Sequence, residues 1–184
     1  SSPDFADPAE AFSALVQRGM KGAVTFRIRT GTFTVRESFP HDLRVGPAAL
    51  DPVAAPLAIR AANPGSRPVL VSNATSSANW TFRFRGLDHI ELENLDFDAS
   101  GAGEFGRVIV LKAGGDGLGT DNLTITNSTF TGFDTGGAPA VFATDARALI
   151  WSDDSARVVT VLPITRRVRS SSNLRRNRGG RRRG

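Results

Sequence analysis

Short segments in which apolar and polar residues alternate follow one another along most of this chain, and two stretches repeat the same arrangement. The first copy spans 80–97 and the second spans 107–130. In each copy one alternating strand, a turn and another alternating strand are followed by Asn, at Asn94 and Asn127. Because side chains in a strand point alternately to its two faces, each Asn shares a face with the two apolar residues before it.

A shorter version of this arrangement comes before both copies and leads to Asn73. Strands that start near Leu57, Phe82 and Val108 predict a repeat of about 25 residues, within the range of repeat architectures. The pattern therefore predicts an all-β parallel β-helix, a solenoid in which each coil packs on its neighbours. Asn73, Asn94 and Asn127 would form one hydrogen-bonded column inside it. The alternative is a β-sandwich whose strands end in Asn by coincidence.

The segment before the first strand predicts a short amphipathic helix. Asp7 can cap it, Pro8 suits its first position, Glu10 completes a capping box and Gly19 is a stop signal. Such a helix would cover the apolar interior and the unpaired strands of the first coil. The alternative is an ordinary surface helix. The predicted organisation has three parts, namely a capping helix in 1–22, β-helix coils in 23–162, with the clearest pattern up to about 133, and an Arg-rich tail in 163–184.

Charge separates the tail from the rest of the chain. Residues 163–184 contain nine Arg and no acidic residue, which leaves 14 basic and 18 acidic residues in 1–162. The tail has almost nothing to bury, so it predicts disorder and non-specific binding of polyanions. Cysteine is absent, which excludes disulfides and Cys-based metal sites. No apolar run in the sequence reaches the length of a membrane span.

The order of these segments resembles the N-terminal part of right-handed parallel β-helix proteins of the pectin-lyase-like class, above all bacterial secreted or cell-surface members. Ala23 stands where Pro is usual in that class, and Phe33 stands where Tyr is usual. The resemblance covers about residues 6–133 and implies an extracellular or envelope location, with no signal peptide in this chain. The stretches that carry it are the helix ending near Gly19, the strand and turn of 22–35, and the segments 56–62 and 78–97.

Beyond Phe133 the pattern weakens. A fourth coil is predicted there, with Leu149, Trp151 and Asp153 in the positions of the second copy's two apolar residues and Asn127. Members of the class normally continue for several more coils. The resemblance therefore implies a truncated or divergent C-terminus, whose open last coil would favour self-association.

The resemblance also implies two kinds of polysaccharide cleavage. Lyases of the class hold Ca²⁺ with carboxylates beside a base, and hydrolases use paired Asp residues as acid and base. The candidate catalytic residues here are Asp88, His89, Asp96 and Asp98. The motifs that complete such sites, Gly-His-Gly, Arg-x-Lys and Arg-x-Pro-x-x-Arg, are absent from the expected places. Solvated residues at turns and strand edges are the alternative explanation, and the missing motifs favour it.

A glycine-rich loop at 114–123 offers the only Ca²⁺ candidates, Asp116 and Asp121. The loop nearly matches the nine-residue Ca²⁺-binding β-roll repeat, in which each ion lies between consecutive repeats. A single copy cannot form a complete site, so no cofactor is expected, with Ca²⁺ as the alternative.

Outward arginines predict contact with glycans. Arg27, Arg83, Arg85 and Arg107 would form a basic stripe that meets acidic sugars through charge-assisted hydrogen bonds, and the alternative is an ordinary solvated sheet face. The predicted function is therefore a secreted or cell-surface module for adhesion or polysaccharide contact, without a complete active site. The alternative is a truncated polysaccharide lyase or glycoside hydrolase.

Overall fold

The computed structural model of the chain describes residues 5–101, 105–115, 119–132, 149–153, 159–161 and 165–168. The helical segments are α1 (Pro8–Arg18), a 3₁₀ turn (His41–Leu43) and the single-turn α2 (Pro47–Leu50). The first sheet contains β1 (Val24–Ile28), β4 (Leu57–Ala61), β7 (Ile90–Glu93), β10 (Leu123–Thr126) and β13 (Val159–Val161). The second contains β2 (Thr32–Val35), β5 (Val69–Ser72), β8 (Asp96–Asp98), β11 (Thr129–Gly132) and β14 (Thr165–Val168). The third contains β3 (Glu37–Phe39), β6 (Phe82–Arg85), β9 (Ile109–Lys112) and β12 (Ile150–Asp153).

The fold is mostly β, and its three sheets are parallel. The chain visits the sheets in turn, so that each strand pairs with the strand three places later. We call one passage through the three sheets a circuit. Because parallel strands need a connection between them, the other two sheets lie on the path from each strand to its partner.

The first four strands of the first sheet have a period of 33 residues, since Val24, Leu57, Ile90 and Leu123 are level with one another. The step from Leu123 to Val159 on β13 is 36 residues. The second step of the repeat expected from the sequence joins paired strands, since Phe82 on β6 is level with Ile109 on β9, 27 residues later. Its first step, of about 25 residues, is wrong. It compared Leu57 on β4 with Phe82 on β6, and these strands belong to different sheets. Short alternating strands look alike from one sheet to the next, so the pattern alone did not distinguish them.

The interior is built from the inward residues of the three sheets, with aromatic rings stacked between circuits. Phe97 and Phe130, level on β8 and β11, stack with their ring centroids 4.9 Å apart. Phe39 and Phe84, level on β3 and β6, stack at 5.3 Å. Ring contacts between level residues tie each circuit to the next beyond the area that they bury.

Helix α1 begins and ends where the sequence predicts. The Asp7 carboxylate accepts the backbone N–H groups of Ala9, at 2.7 Å, and Glu10, at 3.2 Å. Glu10 in turn accepts the N–H of Ala6 at 3.2 Å, one residue before the cap itself. Gly19 ends the helix with a φ of 69°, a left-handed value that costs glycine little.

Phe12 attaches α1 to the first circuits. Its side chain is fully buried, and its ring makes edge-to-face contacts with Phe26 on β1, Phe39 on β3 and Phe82 on β6 at centroid distances of 4.9 to 5.7 Å. The apolar side of the helix thus packs on the interior between the first and third sheets.

Two expectations for the C-terminal part are wrong, the first about the strand that holds Trp151 and the second about the start of the tail. The strand that holds Trp151 pairs with β9 rather than with β10, so Leu149, Trp151 and Asp153 do not continue the column of Asn127. The neighbour of β10 is β13, in which Val159 is level with Leu123.

The tail expected to be disordered from residue 163 instead begins with β14, which pairs with β11. Regular pairing at Thr165–Val168 therefore extends the second sheet into the segment assigned to the tail. Residues 169–184 lie outside the part of the chain that the structure describes.

Candidate functional site on the third sheet

Asn94 and Asn127 form a column at the corner between the first and second sheets. Each provides the tight turn that leads from one sheet to the next, with φ values of 56° and 47°. Asn tolerates this left-handed conformation better than most residues. The Asn127 amide donates a hydrogen bond to the Asn94 amide oxygen, and the Asn94 amide donates to Glu93 at 3.2 Å.

Asn73 lies elsewhere, so the three-membered column predicted from the sequence is wrong at this position. Asn73 follows β5, which belongs to the second sheet and pairs with β8. Its backbone carbonyl accepts a hydrogen bond from Arg36 at 3.2 Å. The residue one circuit before Asn94 in the first sheet is Ala61.

Arg67 links the column of Asn94 and Asn127 to the second sheet through hydrogen bonds. Its guanidinium donates to the Asn127 amide oxygen at 2.6 Å, to the Thr129 hydroxyl at 3.1 Å and to the Asp96 carboxylate at 3.3 Å. The contact with Asp96 is an ion pair between partly exposed groups. Asp96, one of the catalytic candidates, is therefore paired with a cation from another circuit.

The structure does not bring the four catalytic candidates together. Asp88 and His89 precede β7, whereas Asp96 and Asp98 lie on β8, so the length of β7 separates the two pairs. The Asp98 carboxylate accepts the N–H of Ser100 at 2.9 Å. Asp96 and Asp98 lie on either side of the buried Phe97 in β8, and Asp96 is already paired with Arg67.

Asp88 and His89 lie where the chain enters the first sheet. The Asp88 carboxylate accepts the N–H of Asp121, one circuit later, at 2.8 Å. His89 has a φ of 51°, and its Nδ1 is buried with no hydrogen-bond partner among the described residues. Asp116, the other Ca²⁺ candidate, lies outside the described residues, and the described part contains no His, Cys, Asp and Glu cluster suited to a metal ion.

Arg44 is a structural cation that the sequence analysis missed. It is 7% exposed and donates hydrogen bonds to the carbonyls of Ala55, at 2.8 Å, and Asp88. Burial lowers the pKa of its guanidinium, and the nearby Asp88 partly opposes this shift. Arg44 lies in a proline-containing stretch that shows no alternation, so no sequence signal marked it as buried.

Arg27 is separate from the other arginines proposed to contact glycans. It lies on β1 of the first sheet and is level with Arg60, which is in turn level with Glu93. Arg60 forms ion pairs with Glu91 at 3.3 Å and with Glu93 at 3.7 Å. The predicted single stripe is therefore wrong in including Arg27, since Arg83 and Arg85 lie on β6 of the third sheet.

Arg83 is held in place on the outer face of the third sheet. Its Nε donates to the Ser38 hydroxyl at 2.9 Å, and its guanidinium lies 3.7 Å from the centroid of the Trp80 ring. Burial lowers the pKa of Arg83, and the neighbouring charge of Arg85 lowers it further. Both effects favour an anionic partner, because an added negative charge stabilises the guanidinium.

A second stack of the same kind lies on the same sheet. The guanidinium of Arg107, which leads into β9, lies 3.8 Å from the centroid of the Trp151 ring on β12. The backbone N–H of Arg107 donates to the Asn79 side chain at 3.1 Å. Trp80 and Trp151 are the only tryptophans of the chain, and each is in contact with an arginine.

Val110 connects the two stacks. It is level with Arg83 on one side and with Trp151 on the other. It faces outward, because Ile109 and Leu111 on either side of it belong to the interior cluster, yet it is only 3% exposed. The bulky neighbours on this face account for its burial. We call Trp80, Arg83, Val110, Arg107 and Trp151 the Arg–Trp face.

The contacts of the Arg–Trp face could not be predicted from the sequence pattern alone. Trp80 and Arg83 are close in sequence, but residues three apart point to opposite faces of a regular strand, so alternation did not predict their contact. Arg107 and Trp151 are 44 residues apart, and they meet only because β9 and β12 are neighbours.

No protein-family model matches this sequence, and comparisons with curated proteins and with solved structures likewise find no significant match. Within the described residues, no helix is both long enough and apolar enough to cross a membrane.

Proposed function

We propose that this chain is a right-handed parallel β-helix module, secreted or on a cell surface, that contacts acidic polysaccharide through the outer face of its third sheet and has no complete active site. The β-helix is supported by the strand order, since every pairing between the described strands is parallel and joins strands three apart. Aromatic stacking between level residues suits circuits that pack only on their neighbours.

The observation that carries the functional proposal is the position of Arg83 and Arg85. Neither forms an ion pair within the described part of the chain, and no acidic residue occupies an outward position of β3, β6 or β9. The fourth strand of this sheet, β12, has Asp153 level with Lys112. On the first sheet, by contrast, Arg60 is paired with glutamates, and on the second sheet Arg67 is paired with Asp96.

These guanidinium groups suit the carboxylates or sulfates of acidic sugars. A guanidinium presents its N–H donors in a planar fork that matches two oxygens at once, and it is weakly hydrated. Ser38 and Trp80 already hold Arg83 in one position, so binding costs less conformational entropy. Lys112 is level with Arg85 on one side and with Asp153 on the other, so the proposal does not depend on it.

The test is calorimetric titration with alginate, polygalacturonate and heparin, with dextran as the neutral polymer. We expect at least one acidic polymer to bind and dextran not to bind. The double variant Arg83→Gln, Arg85→Gln should weaken that binding at least tenfold. Arg27→Gln is the matched control, because it removes an exposed arginine from another sheet, and it should bind as the wild type does.

Two further results would overturn the proposal. One is that binding is lost when Arg175, Arg176 and Arg178 are replaced by Gln but is kept in the Arg83→Gln, Arg85→Gln variant. That result would assign the interaction to the tail. Release of unsaturated or reducing sugar ends, with or without Ca²⁺, would show that the chain is an enzyme.

A further inference from the structure

We propose that the two Arg–Trp stacks are two sugar subsites, and that an acidic glycan lies across the strands with one sugar ring on each indole. This inference rests on the proposed function and specifies which groups make the contact and in which direction the glycan runs. The binding surface is the Arg–Trp face, and its ligand is a glycan.

The direction follows from the register. Arg83, Val110 and Trp151 are level on three successive strands, so the line that joins them runs across the strands. Neighbouring strands are about 4.8 Å apart, so Arg83 of the first stack lies about 10 Å from Trp151 of the second across the sheet. The N–H of Thr81 donates to the carbonyl of Arg107, so the two stacks also meet where their strands begin.

Each stack combines the two chemical features that an acidic sugar requires. The guanidinium lies over one face of the indole and offers donors to a carboxylate or sulfate, and the rest of the indole offers an apolar surface for the C–H side of a sugar ring. Both tryptophans are partly exposed, and each arginine lies within 4 Å of its ring centroid. Val110 is level with Arg83 and with Trp151, so it lies between the two stacks.

Charge spacing favours a glycan over a nucleic acid. A nucleic acid carries about one negative charge every 3.4 Å along each strand. The chain outside the tail contains 14 basic and 18 acidic residues, so a dense polyanion would meet repulsion beyond the small basic face. A glycan built from uronic acids, such as alginate or polygalacturonate, carries one charge per sugar ring, which matches a few separated arginines.

Because the chain has only two tryptophans, its intrinsic fluorescence reports on this face alone. Trp151→Phe leaves Trp80 as the only fluorophore, and Trp80→Phe leaves Trp151. Each variant would be titrated with alginate, polygalacturonate and heparin, as polymer and as disaccharide, while calorimetry measures binding independently. Circular dichroism checks that both variants fold.

We expect the polymer that binds to change the emission of both single-tryptophan variants and to protect both from acrylamide quenching. Trp80→Ala and Trp151→Ala should each weaken the binding of that polymer at least tenfold, whereas the Phe variants should lose less. The matching disaccharide should bind at least tenfold more weakly than the polymer, because it cannot fill both subsites.

The outcomes separate this inference from the proposed function. Calorimetric binding of a polymer with no change at either tryptophan would refute the subsites and leave the proposed function standing. Failure of all three acidic polymers to bind would refute both. The tail is expected to bind any polyanion, so the nucleic-acid comparison uses the variant in which Arg175, Arg176 and Arg178 are Gln. Tighter binding of single-stranded oligo(dT) than of any of the three polymers by that variant would overturn the glycan assignment in favour of a nucleic acid.

Discussion

The Asn127 amide donates a hydrogen bond to the Asn94 amide one circuit earlier, and both residues have left-handed backbones. Asn94 is 5% exposed, so it combines a buried polar group with an unfavourable φ for most side chains. We predict that Asn94→Ala lowers the free energy of unfolding by about 2–3 kcal/mol, through backbone strain and lost hydrogen bonds.

Asn94→Gly separates the two causes. Glycine adopts this φ without strain, so the variant should lose only the amide contacts, about 1 kcal/mol. Urea unfolding followed by circular dichroism measures both variants. Equal losses for Ala and Gly would show that backbone strain contributes nothing at this corner.

Phe12 should account for most of the attachment of α1. Phe12→Ala removes a fully buried ring that contacts three other rings, and we expect it to cost about 3–5 kcal/mol. Val16→Ala is the matched control, because Val16 is an exposed apolar residue of the same helix, and it should change stability by less than about 0.5 kcal/mol. Similar losses in the two variants would argue against Phe12 as the anchor.

Arg44 should be required for the folded state because it satisfies two carbonyl groups in a buried place. We predict that Arg44→Met lowers the free energy of unfolding by about 3 kcal/mol, since both carbonyls lose a charged donor. Arg44→Lys keeps the charge but lacks the planar fork, so it should recover only part of the loss. Full recovery by Lys would mean that charge alone is needed.

Glu37 should make stability depend on pH. Burial is the main cause that raises the pKa of Glu37 above 4.5, Arg36 opposes it, and Asp7 adds to it. The folded state therefore holds this proton more tightly than the unfolded state does, and stability falls as the pH rises from 4.5 through the raised pKa.

Glu37→Gln should remove this loss. We expect the variant to be more stable than the wild type near neutral pH and equal to it well below 4.5, measured by urea unfolding across the range. Asp7→Asn keeps a good helix cap and removes only the smaller contribution, so it should give a smaller gain. A Glu37→Gln variant with an unchanged pH profile would contradict the prediction.

Local features of the fold could be predicted from the sequence, and the register could not. Alternation identified the inward residues of β1, β7 and β10, and the cap and stop residues located α1. Which strands are neighbours depends on connection lengths, and these differ. Two residues separate β7 from β8, whereas β4 and β5 are separated by seven. Because the sequence pattern does not show this difference, it wrongly predicted that Asn73 lies in the column of Asn94 and Asn127.

The candidate site was harder to predict than the fold. Arg83 and Arg85 stood out as outward cations of an alternating strand, and both lie on the third sheet. The partners that give this face its character come from distant parts of the chain, since Ser38 is 45 residues from Arg83. Arg27 has the same local pattern as Arg83 but different neighbours, so only the pairing of strands separates the two.

Arg67 should affect the order in which the circuits unfold. Its guanidinium leaves the second circuit and reaches Asp96 on the third and Thr129 on the fourth. If circuits touched only their nearest neighbours, they could peel away from one end in sequence. Because the Arg67 side chain contacts three consecutive circuits, the unfolding of these circuits is coupled. The middle of this protein should therefore unfold in a single step.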